Sequence, residues 1–233
     1  MQTPNTPVLK VSRFRPVYVM CEEGVKDDHL QAVLESLQAV LMTAGVERRV
    51  EVHNFGVWRN PGWLEGNTLT DWNSVDWYMW HARQASRNRH QVHGTYLLKL
   101  LYNEPWQQTL PHYDVLVTHQ DLNAEDCQFC IGLAIKGFGT VISTNRFLSL
   151  DFDEQRECIV TEAMHEIGHV FGLVPDDRTE NVEMSLGLHC TNRCIMRQGL
   201  RVPHDWLAIT GDRLAGHGFC STCCRELKKF FGR

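Results

Sequence analysis

Two histidines and a glutamate in the stretch TEAMHEIGHVFGL have the types and the spacing to do chemistry: His165, Glu166 and His169, followed by Gly172. On a helix, imidazoles four residues apart lie on one face and can converge on a single ion, and a carboxylate next to the first can reach a water held by that ion. Zinc lowers the pKa of such a water to about 7, so the carboxylate can take its proton during attack on a carbonyl carbon and pass it to the leaving amine. Glu166 is thus the expected general base, and amide hydrolysis the expected chemistry. Over 153–171 the spacing predicts a helix with Ile159, Val160, Ala163, Met164, Ile167, Val170 and Phe171 on one broad face and the two histidines nearly opposite. Packing the core is not what the histidines serve, and a zinc centre outweighs a solvated histidine pair.

A zinc of this kind needs a third ligand. Gly172 is expected to end the helix in a left-handed conformation and turn the chain back under the metal. Pro175, which follows, has no donor atom, and spacing alone leaves Asp176, Asp177, His189, His204 and His217 open. The surroundings of His189, LGLHCTNRCIMRQGL, are rich in further metal-binding side chains, and GFCSTCCREL follows. The nine cysteines are Cys21, Cys127, Cys130, Cys158, Cys190, Cys194, Cys220, Cys223 and Cys224. Their odd count, and a start without an export-type apolar segment, argue against a disulfide framework and for metal binding in a reducing cytoplasm. Cys21 and Cys158 read as small core residues, and Cys127 and Cys130 as unligated thiols.

Taken with the HExxHxxG segment, His189-Cys190, Cys194-Ile195-Met196 and Cys220 to Cys223 resemble the archaemetzincin family, whose pattern is HExxHxxGxxHC, a second cysteine, x-Met and a later CxxC. The resemblance is strong over about the last 75 residues, with two departures. Sixteen residues separate Gly172 from His189 where the family has two, and three rather than four separate Cys190 from Cys194. The same Gly-Leu pair, Gly172-Leu173 and Gly187-Leu188, flanks the insert, so a loop leaving at the first and returning at the second would restore the geometry.

This resemblance implies two zinc ions per chain. His165, His169 and His189 would bind the catalytic one, with Met196 as an apolar turn beneath it; Cys190, Cys194, Cys220 and Cys223 would bind a structural one in a closed tetrahedral site. It also implies a peptidase acting on peptide or protein substrates. Substrate would lie along the sheet edge above the zinc, for which Ile131–Ile135 is the candidate strand. A non-catalytic zinc-stabilised binding module, and a zinc amidase acting on a small non-peptide amide, are the alternatives; an unaltered HExxH favours an enzyme.

The elements that must position these residues are legible in outline. With 233 residues and 43% hydrophobic content, the chain suffices for one sizeable domain. Residues 1–12 read as a flexible tail and 13–233 as that domain, with a boundary after 172 between the sheet and active-site helix and a Cys-rich C-terminal subdomain. A net charge of -5 with scattered basic residues argues against nucleic-acid binding, and Arg83–His90 reads as a solvated helix face. No stretch approaches the roughly 20 apolar residues of a membrane span.

Arg15–Met20, Arg49–Phe55, Val115–His119, Ile131–Ile135 and Thr140–Thr144 read as strands, and Asp27–Ala44 as a helix stopped by Gly45. Strands alternating with helices give an α/β (α+β) class, an open sheet with helices packed on it. With the family resemblance, this becomes a metzincin-like mixed, twisted sheet. The aromatic stretch Trp58–Trp80 reads as a loop-rich insert that uses large residues to bury itself, ahead of its reading as a substrate-gripping rim.

Overall fold

Side chains of the first strand alternate so strictly between its two faces that it lines two apolar clusters at once. In the computed structural model, which describes residues 13–59, 74–125 and 127–233, strand β1 (Val17–Cys21) is wholly buried. Val17, Val19 and Cys21 enter one cluster, Tyr18 and Met20 the other. This two-sided burial is what a central parallel strand requires. Helix α1 (Asp27–Ala44) carries Asp27 and Asp28 in its first turn and ends where Gly45 takes φ 69°. Strand β2 (Val52–Gly56) returns parallel to β1.

Helices α2 (Val75–Ala85) and α3 (Gly94–Tyr102) bury Val75, Tyr78, Met79, Leu97, Leu98 and Leu101 in the second cluster, so they cover the face opposite α1. Strand β3 (Gln91–His93) lies between them, and the short helix α4 (Pro105–Thr109) follows. Strand β4 (Tyr113–Thr118) pairs parallel to β1. Strands β5 (Asp121–Ala124) and β6 (Cys127–Cys130) make a small sheet with β3. Strand β7 (Gly132–Ile135) runs antiparallel to β8 (Gly139–Ser143), which is parallel to β4. The main sheet has the order β2-β1-β4-β8-β7, with β7 at its edge.

Helix α5 (Phe152–Val170) is capped by Asp151, whose side chain accepts from the Glu154 N–H, and packs on α1 within the first cluster. Beyond it lie the antiparallel strands β9 (Val182–Met184) and β10 (Leu188–Cys190), then helices α6 (His204–Leu214) and α7 (Ser221–Phe230). Cys194, Ile195, Met196, Trp206, Cys223 and Leu227 join the same cluster as the faces of α1 and α5 that meet it. The mixed sheet, its helices and the Cys-rich C-terminal region are those expected. Among the described residues, no helix is long and apolar enough to cross a membrane.

Two readings need correction. Val75–Trp80 forms the start of α2 rather than a loop, because Ser74 caps the Asp76 N–H and Val75, Tyr78 and Met79 supply a buried stripe. Trp77 packs against the second cluster and Trp80 stands 57% exposed, whereas Trp63, Trp72 and the Asn60-Pro61-Gly62 turn lie outside the described residues, as do residues 1–12. The solvated helix face expected over Arg83–His90 stops at Ala85, where Ser86 turns extended (ψ 139°) and its hydroxyl accepts from the Asn88 N–H.

Candidate metal and active site

Helix α5 places His165, Glu166 and His169 where the β7 edge and the β9–β10 hairpin meet. The insert after Gly172 (φ 75°) passes through Arg178 and returns along β10 as His189-Cys190. Leu186 (φ 50°) and Gly187 (φ 114°) make the turn that admits the returning strand. His165, His169 and His189 converge, with one nitrogen of each within 4.8 Å of the others. The ring centroids of His165 and His169 are 4.8 Å apart, and each is 5.2 Å from that of His189.

Their environment suits a metal. Nδ1 of His165 meets the Ile195 carbonyl at 2.9 Å and Nδ1 of His189 meets the Gly187 carbonyl at 3.2 Å, which leaves Nε2 of each for the cluster, where that of His165 lies 3.1 Å from His169 Nε2. Burial, and then the neighbouring imidazoles, hold His165 well below the usual histidine range and His169 down at about 3; burial also lowers His189. All three are therefore neutral at pH 7, as ligation requires. Met196 is fully buried behind them: a Cβ added to Gly168, between the two helix histidines, would lie 2.7 Å from its Sδ.

The position of Glu166 is set by two features. Gly132 on β7 leaves the room: a Cβ there would lie 2.5 Å from Glu166 Cγ and 2.4 Å from Glu162 Oε1. Burial pushes the Glu166 carboxyl up to about 8. Glu162, one turn earlier on α5, is raised well above the carboxylate range, first by burial and then by the Glu166 charge, and the two acids can share a proton. His165, Glu166 and His189 line a cleft of about 640 Å³, walled by Phe129, Leu133, Leu200 and Trp206 among others. The expected edge strand, Ile131–Ile135, supplies Ile131, Gly132 and Leu133 to this cleft.

Beside it, Cys190, Cys194, Cys220 and Cys223 form the second cluster. Cys190 and Cys220 sulfurs are 3.8 Å apart and those of Cys194 and Cys223 3.7 Å. Thiolate bonds of about 2.3 Å in a tetrahedron give sulfur–sulfur edges of about 3.8 Å, whereas a disulfide needs about 2.05 Å. The donor set thus fits zinc and not a cystine. The neighbouring thiols, chiefly Cys194 for Cys190 and Cys190 for Cys223, drive Cys190 down and Cys223 up, because closely packed sulfurs cannot all ionise without a cation. Cys224 is outside the cluster, donating toward the Phe219 carbonyl. Cys21 and Cys158 are buried in the apolar core as expected.

Arg178 was missed by the sequence reading. Its guanidinium reaches Cys190 Sγ at 3.1 Å, Cys223 Sγ at 3.3 Å and Glu226 at 3.3 Å, tying the insert to the thiol cluster. Asp176 and Asp177 stand exposed on that insert, and neither they nor the exposed His204 and His217 join the histidine cluster. Asp176 and Asp177, open as third ligands by spacing, are thus away from the cluster, since Arg178 draws this part of the loop onto the sulfurs. Glu162 was also passed over, although its place one turn before Glu166 was visible in the sequence.

An HExxH helix with a third histidine from a returning strand, a buried methionine behind them and a tetrathiol cluster alongside make two candidate metal sites on one mixed α/β fold. No protein-family model matches the chain, but it is similar in sequence to archaemetzincins. It is 35% identical over 111 residues to the archaemetzincin of Archaeoglobus fulgidus, covering 47% of this chain and 56% of that protein. With the archaemetzincin of Pyrococcus furiosus it shares 31% over 125 residues, covering 50% and 54%. The chain thus matches little more than half the length of these curated relatives.

Solved structures share the fold over nearly the whole chain. The archaemetzincin of Methanopyrus kandleri superposes with a TM-score of 0.62 at 21% identity, covering 97% of this chain and 100% of that one. The Archaeoglobus fulgidus archaemetzincin in complex with malonate gives 0.55 at 23%, covering 91% and 99%. A zinc-dependent peptidase from Methanocorpusculum labreanum gives 0.52 at 23%, with the same coverages.

Proposed function

We propose that the chain is a zinc-dependent peptidase with two zinc ions, a catalytic one held by His165, His169 and His189 and a structural one held by Cys190, Cys194, Cys220 and Cys223. The observation that carries this reading is a buried carboxyl, Glu166, beside three neutral imidazoles at the wall of an open cleft. A purely structural site has no use for that carboxyl. When bound, zinc supplies Lewis acidity, polarising a carbonyl and lowering the pKa of water to about 7.

The chain's own residues do the rest. Burial alone holds the Glu166 carboxyl up to about 8; a bound cation beside it would favour the charged form, in which it takes a proton from the attacking water and returns it to the leaving amine. The carbonyls of Ile195 and Gly187 hold His165 and His189 in one tautomer. The β7 edge offers main-chain groups to an extended peptide, and Leu133, Phe129 and Trp206 bury its side chains. Thiolate ligands and free cysteines suit the reducing cytoplasm. A structural zinc would pin the region after residue 172 to the active site.

Cleavage of a random peptide mixture by the zinc-loaded protein and by Glu166→Gln tests the reading. We expect fragments from the first and a rate about 100-fold lower or more from the second. Equal, absent cleavage with zinc present would favour a non-catalytic module, and turnover of small amides alone would favour the amidase alternative.

A further inference from the structure

Glu162 stands apart from the other buried acids of the protein. Glu22 accepts from the Thr118 hydroxyl at 2.6 Å, Asp114 is paired with Arg59 at 2.8 Å, and Glu104 with Arg59 at 2.7 Å. Glu166 has the role proposed above. Glu162 is 0% exposed; its carboxyl faces that of Glu166, with which it can share a proton, and among the described residues no cation or other donor meets either of its oxygens. Two buried acids together without a cation are costly, and such exceptions call for a reason.

The cleft supplies one. Among the described residues, its lining contains the carboxyls of Glu125, Glu162 and Glu166 and no lysine or arginine. Lys99 compensates Glu125 from the exposed side, at 3.3 Å, and leaves the other two acids without a cation. Around them, Ile131, Leu133, Val202 and Trp206 offer apolar walls that would sheathe an aliphatic stem while its charged end reaches inward. Gly132 lets the Glu162 carboxyl sit directly against the β7 edge.

We propose that Glu162 forms the base of a subsite that receives a cationic group of the substrate, an ammonium or a guanidinium. The inference deepens the peptidase reading and rests on it for the identity of the cleft. It explains why a second acid stands where an apolar residue would pack without penalty: the cation that neutralises it arrives with the substrate. An entering cation would also draw the carboxyl back from its proton-holding state to its charged form.

The test measures binding and cleavage separately. Fluorescent peptides with both ends blocked carry arginine, lysine, citrulline or norleucine at successive positions, and each is titrated against zinc-loaded Glu166→Gln, which does not turn them over. At one position, arginine or lysine should tighten binding about tenfold or more over citrulline and norleucine. That advantage should fall to within about threefold when Glu162→Gln is added, and Glu162→Asp should retain part of it. Repeating the set with free amino ends distinguishes a side-chain cation from the peptide's own ammonium: if only the free end gains affinity through Glu162, the cation is the terminal one.

Equal or absent binding of charged and neutral peptides at every position, or a preference that survives Glu162→Gln, overturns the proposal. So does an equal loss for all peptides in Glu162→Gln, which would make the residue a support for Glu166. The wild-type protein is then assayed for cleavage of the same blocked set. Cleavage without charge preference removes the subsite alone; charge preference without cleavage removes the peptidase reading alone.

Discussion

Glu166 and the histidines titrate in opposite senses, which makes them separable in metal-free protein. Burial lowers His165, His169 and His189, so the unfolded chain binds more protons than the folded one below about pH 6.5. Their contribution is complete above that pH and is lost as pH falls toward about 3. Burial raises Glu166 from 4.5 to about 8, so its contribution is complete below pH 4.5 and is lost as pH rises through about 8. Thermal melts of zinc-free protein should therefore rise from pH 5 to about pH 6.5 as the three histidines lose their protons and decline from there to pH 9, and Glu166→Gln, permanently neutral, should flatten that decline. An unchanged slope in the variant would place the alkaline loss elsewhere. Saturating zinc should oppose the acidic loss at pH 6 to 7, since the ion competes with protons for the imidazoles.

Among the elements, the insert and the Met196 turn have the clearest mechanical roles. Arg178 holds the insert against Cys190 and Cys223, and β10 carries Cys190 next to His189, so the two clusters share one strand. Arg178→Gln should speed zinc transfer from the thiol cluster to a chromogenic chelator about 10-fold or more, read in a His189→Ala background that leaves this cluster alone. Release at the wild-type rate would reduce Arg178 to a loop anchor. The Met196 turn backs α5 at Gly168, where an added Cβ would come within 2.7 Å of Sδ. Gly168→Ala should cost about 1 to 3 kcal/mol in denaturant melts and weaken zinc binding at the histidines. The α2 helix was hidden in the sequence because its apolar stripe is interrupted by Trp80, which points outward, so the run of tryptophans outweighed the helical spacing of Val75, Tyr78, Met79 and Ala82.

For the whole molecule, one apolar cluster joins the sheet, α1, α5 and the segments that carry Cys190, Cys194, Met196 and Cys223. The thiol cluster is thus part of the core and not an appendage. Elemental analysis should find two zinc ions in the wild type and one in each of His189→Ala and Cys223→Ser, with the melting temperature falling far more in Cys223→Ser. Two ions retained in His189→Ala would break the assignment of the third ligand.

The sequence by itself determined the HExxH helix and the glycine that stops it, the β1–α1–β2 unit, the β7–β8 hairpin and the metal-ligand types of both residue groups. These are local matters: the period of apolar residues, a glycine stop, and two imidazoles one turn apart. Spacing left the third histidine open and the family resemblance implied His189 and Cys223; the tertiary structure brings His189 to His165 and His169 and Cys223 into the thiol cluster, and it alone shows that Arg178 and Glu162 bear on the two sites. Each depends on segments far apart in the chain meeting at one point, and spacing carries no information about where a loop returns. Burial, which leaves Glu162 without a donor and raises Glu166, exists only once the sheet edge, α5 and the hairpin have closed around them.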